Sequence, residues 1–366
     1  MRFISTLLIF FIIVFLYPIA GQAAPGVSAN NAILIEQSTG RVLFEKKAHE
    51  KQSIASITKI MTAIVAIESG KMGEMAKTSR KAIHTEGSSI YLEQGEKMLV
   101  EDLVYGLMLR SGNDAAVVIG EHIGGSEEGF VHLMNEKAKW LGMTNTHFDN
   151  PHGLDSDTHY STAYDMAILM QYAMDNEKFQ EITGATSYLS KSRTYSWQNK
   201  NKLLTQLYEY CIGGKTGYTK KTGRTLVSSA EKDGMKLIAV TLNAPNDWQD
   251  HIGMFEWGFE NYSLETIDDK GKAAYTLPDF EEPIIGHITS EIHFPLAKSE
   301  RSLITQQNYI LKDETKSEDN IIGKKVYYFN EDQIGEVFIY KEDEVKQRDN
   351  FFTSTLDIFQ DIVGWP

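Results

Sequence analysis

Ser56-Ile57-Thr58-Lys59 opens an apolar-periodic run, Ile57, Ile60, Met61, Ile64, that stops at Ser69-Gly70. Apolar residues at that spacing share one face of a helix, and a glycine after the last of them is a stop signal, so the run predicts a buried helix. A serine in its first turn lies near unpaired N–H groups and the positive end of the helix dipole. A lysine three residues on shares its face. Free serine is a poor nucleophile, but a desolvated lysine with a lowered pKa can take its proton. That makes Ser56 a candidate nucleophile and Lys59 its candidate base. Ser-x-x-Lys alone is a common chance match; order and spacing of further motifs give it weight.

Ser111-Gly112-Asn113 and Lys215-Thr216-Gly217 follow in that order. The triple is a known signature of penicillin-binding proteins and β-lactamases. A second Lys-Thr-Gly, Lys221-Thr222-Gly223, competes for third place. The first copy is chosen because Gly213-Gly214 precede it on an apolar strand, where they would let a substrate backbone approach closely. The motifs call for no cofactor and no metal. His152 with His147 and His159 lacks the spacing of a metal site, and His152 is read as a supporting hydrogen-bonder. Cys211, four residues before Lys215, is read as an inert buried thiol.

With 366 residues, 42% of them hydrophobic, the chain can build a large core and a second domain. A formal charge of −14, with no clustered basic face, excludes nucleic acid as a partner. Arg2 precedes an uninterrupted apolar stretch from Leu7 to Leu16, then Pro18 and Gly21-Gln22-Ala23-Ala24. That is a secretory signal peptide, residues 1–23, cut after Ala23 or Ala24. The apolar stretch is shorter than the ~20 residues of a spanning helix, which sets aside a retained membrane segment. Cys211 is the one cysteine, so no intrachain disulfide forms. An exported protein of this kind fits a Gram-positive surface.

Along the mature chain, Ala32 to Glu36 and Arg41 to Glu45 read as a hairpin across Gln37-Ser38-Thr39-Gly40. From about Lys77 to Gly184 the pattern is mostly helical, with one run from Glu101-Asp102 to Arg110 and another from Ala115 to Ile119. Ser111 to Asn113 then fall in a tight turn between helices. Tyr210 to Thr219, Thr225 to Ser229 and Leu237 to Leu242 read as three antiparallel strands. A helix from near Asn246 sets Trp248, Ile252, Phe255 and Phe259 on one stripe that would cover a sheet face. The expected fold is mixed α/β (α+β): an antiparallel sheet of about five strands flanked by helices, with a helical insert facing it and the motifs in the cleft between. After Tyr262 a small β domain is expected, from the period-two stretch Ile288, Ser290, Ile292, Phe294 and from Val326 to Phe329 paired with Glu336 to Tyr340 across Asn330-Glu331-Asp332. The predicted divisions are 24–262, 263–346 and a tail, 347–366. In the tail Phe352, Leu356, Phe359, Ile362 and Val363 share half of a helical wheel, able to lie on a membrane surface or to dock on the β domain.

The stretches IASITKIMTAIVAIESGKM (54–72), LMLRSGNDAAV (107–117), NPHGLD (150–155), HYSTAYDMA (159–167) and GGKTGYTKKTGRTLVSSA (213–230) resemble the low-molecular-mass D-alanyl-D-alanine carboxypeptidases, peptidase family S11, and within them the sporulation-type enzymes of bacilli. The resemblance implies the serine β-lactamase/transpeptidase fold, a β-rich C-terminal domain and a membrane-associating tail. It implies a substrate, the peptidoglycan stem peptide ending in D-Ala-D-Ala, with β-lactams as covalent inhibitors and a role in spore cortex. Carried over by position, Ser56 is acylated, Lys59 is its base, Ser111 relays the proton to the leaving D-alanine and Asn113 holds the substrate amide carbonyl. Lys215 adds positive charge and Thr216 binds the terminal carboxylate. The N–H groups of Ser56 and of Tyr218, after Gly217, form the oxyanion hole. Some relatives carry an arginine around Asp247 to Gln249, where this chain reads Asp-Trp-Gln, which leaves Arg224 or Lys215 as the cation for the carboxylate. A β-lactamase would need a deacylating glutamate after the second motif, and Asn145 to Asp155 contains none. A non-enzymatic penicillin-binding wall sensor is the other alternative.

Overall fold

Asn31–Glu36 (β1) and Val42–Lys46 (β2) form the expected hairpin, with Gly40 supplying a φ of +70°. Cys211–Thr219 (β3), Gly223–Lys232 (β4) and Met235–Leu242 (β5) form the expected meander. All five join one antiparallel sheet in the order β2-β1-β5-β4-β3. The computed structural model describes residues 24–275, 283–311 and 320–341, so the proposed signal peptide and tail lie outside the described residues.

Alternation along the strands sends side chains to two cores. Ile33, Ile35, Val227, Ile238 and Val240 face a helical layer, whereas Leu34, Leu226, Leu237 and Ala239 face Met254 and Phe255. The latter two belong to a helix, Asp247–Asn261, that covers the second face as its apolar stripe foretold. Each buried side chain of this size contributes about 1.5–3 kcal/mol relative to exposure.

The helical layer centres on Lys59–Glu68 (α1), which packs against Val100–Arg110 (α2), Asn113–Gly124 (α3), Glu127–Trp140 (α4), Ala163–Met174 (α5) and Glu177–Gly184 (α6). Surrounded in this way, α1 is buried from Lys59 to Ala66. Two expectations need correction. Ser56 is not in the α-helix: a 3-10 turn, Ala55–Thr58, precedes it, and Lys59 is its first residue. The region 77–184 is less helical than its composition promised. Met75–Lys77 pairs with Lys97–Leu99, and 144–162 is irregular, because Asn150, Ser156 and Asp149 satisfy local backbone and hydroxyl groups that a helix would otherwise use.

Beyond Asn261, Tyr262–Asp268 (β6) pairs with Ile292–Ala297. Gly271–Tyr275, Ile284–Ile288, Ile304–Ile310, Ile321–Phe329 and Asp332–Lys341 form a second five-stranded sheet. The period-two stretch 288–294 is therefore not one strand, since its two ends pair in different sheets. The last hairpin turns on Asn330-Glu331 alone, both at positive φ (49° and 73°), and Asp332 already pairs with Phe329. Arg41, beside β2, donates to both oxygens of Glu300 (2.8 and 3.0 Å) and lies 4.4 Å from the ring of Phe329 and 5.1 Å from that of Phe294. It ties the first sheet to the later strands.

Candidate active site

The turn that carries Ser56 is held from below by a relay of neutral groups. His159 accepts at Nδ1 from the Asp149 N–H (3.0 Å), so its other nitrogen keeps the proton and donates to Thr58 Oγ1 (2.8 Å). Thr58 in turn donates to Ala55 O (2.8 Å). Burial pushes His159 down to about 4, which keeps it neutral in this role. Ala55 is held at a φ of +51°, a left-handed conformation that a non-glycine adopts only when its surroundings impose it. Ser56 is presented at the open side of the turn, half-buried.

Lys59 is fully buried, and its Nζ has three polar neighbours: Asn113 Oδ1 (2.7 Å), the His152 carbonyl (2.6 Å) and Ser56 Oγ (2.9 Å). Burial first, and the charge of Lys215 second, hold its pKa well below 10.5. A neutral amine has two N–H bonds and one lone pair. The two carbonyl oxygens take the N–H bonds, which leaves the lone pair for the Ser56 hydroxyl. That is the geometry of a general base.

The His152 carbonyl is set by its neighbour. Gly153 has a φ of +85°, and a Cβ there would lie 2.0 Å from Ala55 O, so glycine alone lets this loop seat against the nucleophile turn. The imidazole of His152 is the supporting hydrogen-bonder the sequence suggests: Nδ1 accepts from the Leu154 N–H (3.2 Å), Nε2 lies 3.7 Å from Glu127, and burial first of all pushes the ring down to about 3. What sequence reasoning missed is the main-chain carbonyl of the same residue on Lys59.

Ser111 follows α2 at φ +62°, ψ +36°, a position usually given to glycine. It is buried, and among the described residues its hydroxyl has no hydrogen-bond partner. Asn113 opens α3, donates to Glu86 O (2.5 Å), and takes Ser88 O on its own N–H (2.7 Å). Asp114 beside it receives Ser89 Oγ and the N–H groups of Ile90 and Leu92, fixing the 86–92 segment over this turn.

Lys215, Thr216, Gly217 and Tyr218 lie on β3, the sheet edge. Gly217 abuts the nucleophile: a Cβ there would come 3.0 Å from Ser56 N and 2.3 Å from Thr225 Oγ1. Lys215 is buried, donates to Thr216 O (2.8 Å), and is pushed down to about 7 by burial and by Lys200. Tyr218 is exposed at the rim. The two glycines before Lys215 do not leave room for a substrate backbone, as their sequence reading held. Gly213 makes space for Thr183 of α6, and Gly214, at φ +147°, for Val227 O of β4. Lys221 is exposed near Asp157 (3.6 Å), and Thr222 bonds Asp155. Cys211 is buried and its thiol is pushed up to about 11. Arg224 pairs across the strands with Tyr218, on the face opposite Lys215, where Asp247 (2.7 Å) and the Trp248 ring engage it.

The sequence model of the D-alanyl-D-alanine carboxypeptidases matches residues 19–246. The chain is 36% identical over 343 residues, 87% of it and 86% of the relative, to the D-alanyl-D-alanine carboxypeptidase DacF of Bacillus subtilis. It is 37% identical over 266 residues to DacC of Escherichia coli, 66% of this chain and 64% of that one. Among solved structures, penicillin binding protein 5 of Haemophilus influenzae superposes with a TM-score of 0.73 at 26% identity, covering 89% of this chain and 100% of that one. With the buried lysine beside Ser56, the sheet-edge Lys-Thr-Gly and these kinships in hand, the chain belongs to peptidase family S11, the serine-type D-alanyl-D-alanine carboxypeptidases.

Proposed function

We propose that the protein removes the terminal D-alanine of peptidoglycan stem pentapeptides through an ester on Ser56. One observation carries this reading: Lys59 Nζ, fully buried and with its pKa held well below the usual lysine value, lies 2.9 Å from Ser56 Oγ while Asn113 Oδ1 and the His152 carbonyl take its other contacts. Ser56 Oγ attacks the carbonyl of the penultimate D-alanine and passes its proton to Lys59. The oxyanion is held by the N–H groups of Ser56 and Tyr218, a reading supported by the seat of Gly217 against Ser56 N. As the C–N bond breaks, Ser111 relays a proton to the leaving amine while Asn113 holds the substrate amide and Thr216 the terminal carboxylate. Water then attacks the ester with Lys59 again as base, releasing tetrapeptide. Penicillin reacts as far as the ester and stays, because its leaving group remains tethered and blocks water.

The test is a pair of rates on one sample: D-alanine release from diacetyl-Lys-D-Ala-D-Ala, and recovery of that activity after excess penicillin is removed. Steady release with slow recovery is expected. Rapid recovery with penicilloate would mark a β-lactamase, and labelling without D-alanine release a sensor.

Protonation gives a second check. Burial, and then the charge of Lys200, push Lys215 down to about 7, and only its charged form attracts a carboxylate. Above that pH the acylation efficiency of penicillin should fall, toward tenfold per pH unit. Lys215→Arg, charged at every pH used, should flatten this limb; an unchanged limb in that variant would assign it to another group.

The reading extends to a mature chain exported past residues 1–23, a catalytic domain over 24–262, a β-rich domain over 263–346, and action at the outer face of the cytoplasmic membrane, limiting cross-linking in spore cortex. Among the described residues no helix is long and apolar enough to cross a membrane. The apolar half of 351–365 supports a surface anchor. A chain ending near Lys346 should stay active on soluble peptide and no longer sediment with vesicles; equal sedimentation of both forms would reject the anchor.

A further inference from the structure

The second sheet ends on a strand without the usual protections of a sheet edge. Its strands follow the order Gly271–Tyr275, Ile284–Ile288, Asp332–Lys341, Ile321–Phe329, Ile304–Ile310, so the last has a strand on one side alone among the described residues. It is seven residues long, and its pairing runs from Ile304 with Phe329 to Ile310 with Gly323 without a register shift. Thr305 to Tyr309 are all exposed, so both faces of the strand meet solvent. Natural edges are blunted by lysines, prolines, bulges or a covering segment, because their free N–H and C=O groups are a template for another strand. Here Ile-Thr-Gln-Gln-Asn-Tyr-Ile holds no charge and no proline, in a chain with 36 basic and 50 acidic residues. By contrast β2, an edge of the first sheet, carries Glu45 and Lys46.

We infer that this edge is a self-association surface: two copies of the chain join along it, antiparallel about a two-fold axis at Gln307, and make one continuous sheet out of two five-stranded ones. The inference stands apart from the catalytic reading. A second copy is the occupant because the stretch 303–311, Leu-Ile-Thr-Gln-Gln-Asn-Tyr-Ile-Leu, reads alike from both ends. An axis at Gln307 sets Gln306 against Asn308, Thr305 against Tyr309 and Ile304 against Ile310, each residue facing one of matching polarity. Leu303 then comes beside Leu311 of the second copy. Both leucines are exposed, and Tyr309, Leu311 and Phe338, exposed as well, line one shallow hollow at that end of the strand. Association covers this apolar surface. Charge argues the same way. A formal charge of −14 repels a second copy over much of the surface, and an uncharged strand is where two copies approach with least repulsion.

The experiment is sedimentation of the full chain from ~1 to ~100 μM, a range suited to an interface of one strand and its flanks. Its mass should rise from one copy toward two, and the association should tighten as salt screens the like charges. Gln307→Lys sets two ammonium groups against each other at the axis and should weaken association at least tenfold. Its melting temperature and penicillin labelling should stay unchanged, since residue 307 is exposed and outside the catalytic domain. Cross-linking reads the register. Gln307→Cys should give a disulfide-linked dimer under mild oxidation, because Cα atoms facing each other across an antiparallel pair lie ~4.5–5.5 Å apart. Thr305→Cys sits two residues off the axis, which puts its two copies ~14 Å apart, so it should link to Tyr309→Cys and not to itself. The native Cys211 is buried and takes no part. A mass of one copy at every concentration would overturn the inference. So would Thr305→Cys linking to itself as fast as Gln307→Cys does, the mark of random collision. An association lost in a chain ending near Lys346 yet untouched by Gln307→Lys would move the contact to the tail and overturn it too.

Discussion

Ser56→Ala abolishes covalent labelling by fluorescent penicillin and leaves the thermal transition nearly in place. The hydroxyl is half-buried at the open side of its turn, and its one described partner is the Lys59 amine, so its removal costs about 1 kcal/mol or less of folding free energy. The chemical loss is complete because no second nucleophile is poised. Among the described residues no hydrogen bond joins the Ser111 hydroxyl to a base, and Cys211 is a buried thiol with its pKa pushed up to about 11. Labelling at wild-type stoichiometry in this variant would remove Ser56 from the mechanism.

Lys59→Ala loses acylation by about 10²- to 10⁴-fold, since the base goes while the hydroxyl stays. The double variant should be no worse than either single one, because the two groups act as a unit. Unlike Ser56→Ala, this change also weakens the fold. It strips Asn113 Oδ1 and the His152 carbonyl of their donor, and each orphaned buried acceptor costs about 1–3 kcal/mol. A melting temperature several degrees below that of Ser56→Ala is the expected companion result. Acylation within a few-fold of the unaltered protein would exclude Lys59 as base.

The sequence carried the parts of this fold that depend on periodicity. The hairpin at Gln37–Gly40, the three antiparallel strands between Tyr210 and Leu242 and the stripe Trp248, Ile252, Phe255, Phe259 are all written in side chains that repeat every 2 or 3.6 residues, and all three are present. What stayed hidden depends on atoms or relations that side-chain type does not report. The acceptor that fixes Lys59 is a main-chain carbonyl, recognisable only through the crowding at Gly153. The face taken by Arg224 follows from strand register with Tyr218, and the purpose of Gly213-Gly214 from the neighbours Thr183 and Val227.

The fit of the 150–154 segment against Ala55 bears on how such a protein could evolve under antibiotic selection. A β-lactamase frees itself with a water readied by a glutamate after the second motif. In this chain that stretch is filled by backbone, with the His152 carbonyl on Lys59 and Gly153 wedged against the nucleophile turn. A single codon change that put glutamate at 153 would drive its Cβ into Ala55 O and dislodge the acceptor that keeps the base in place. At that position a drug-destroying descendant would need the loop lengthened or rerouted before a new acid could be of use to it.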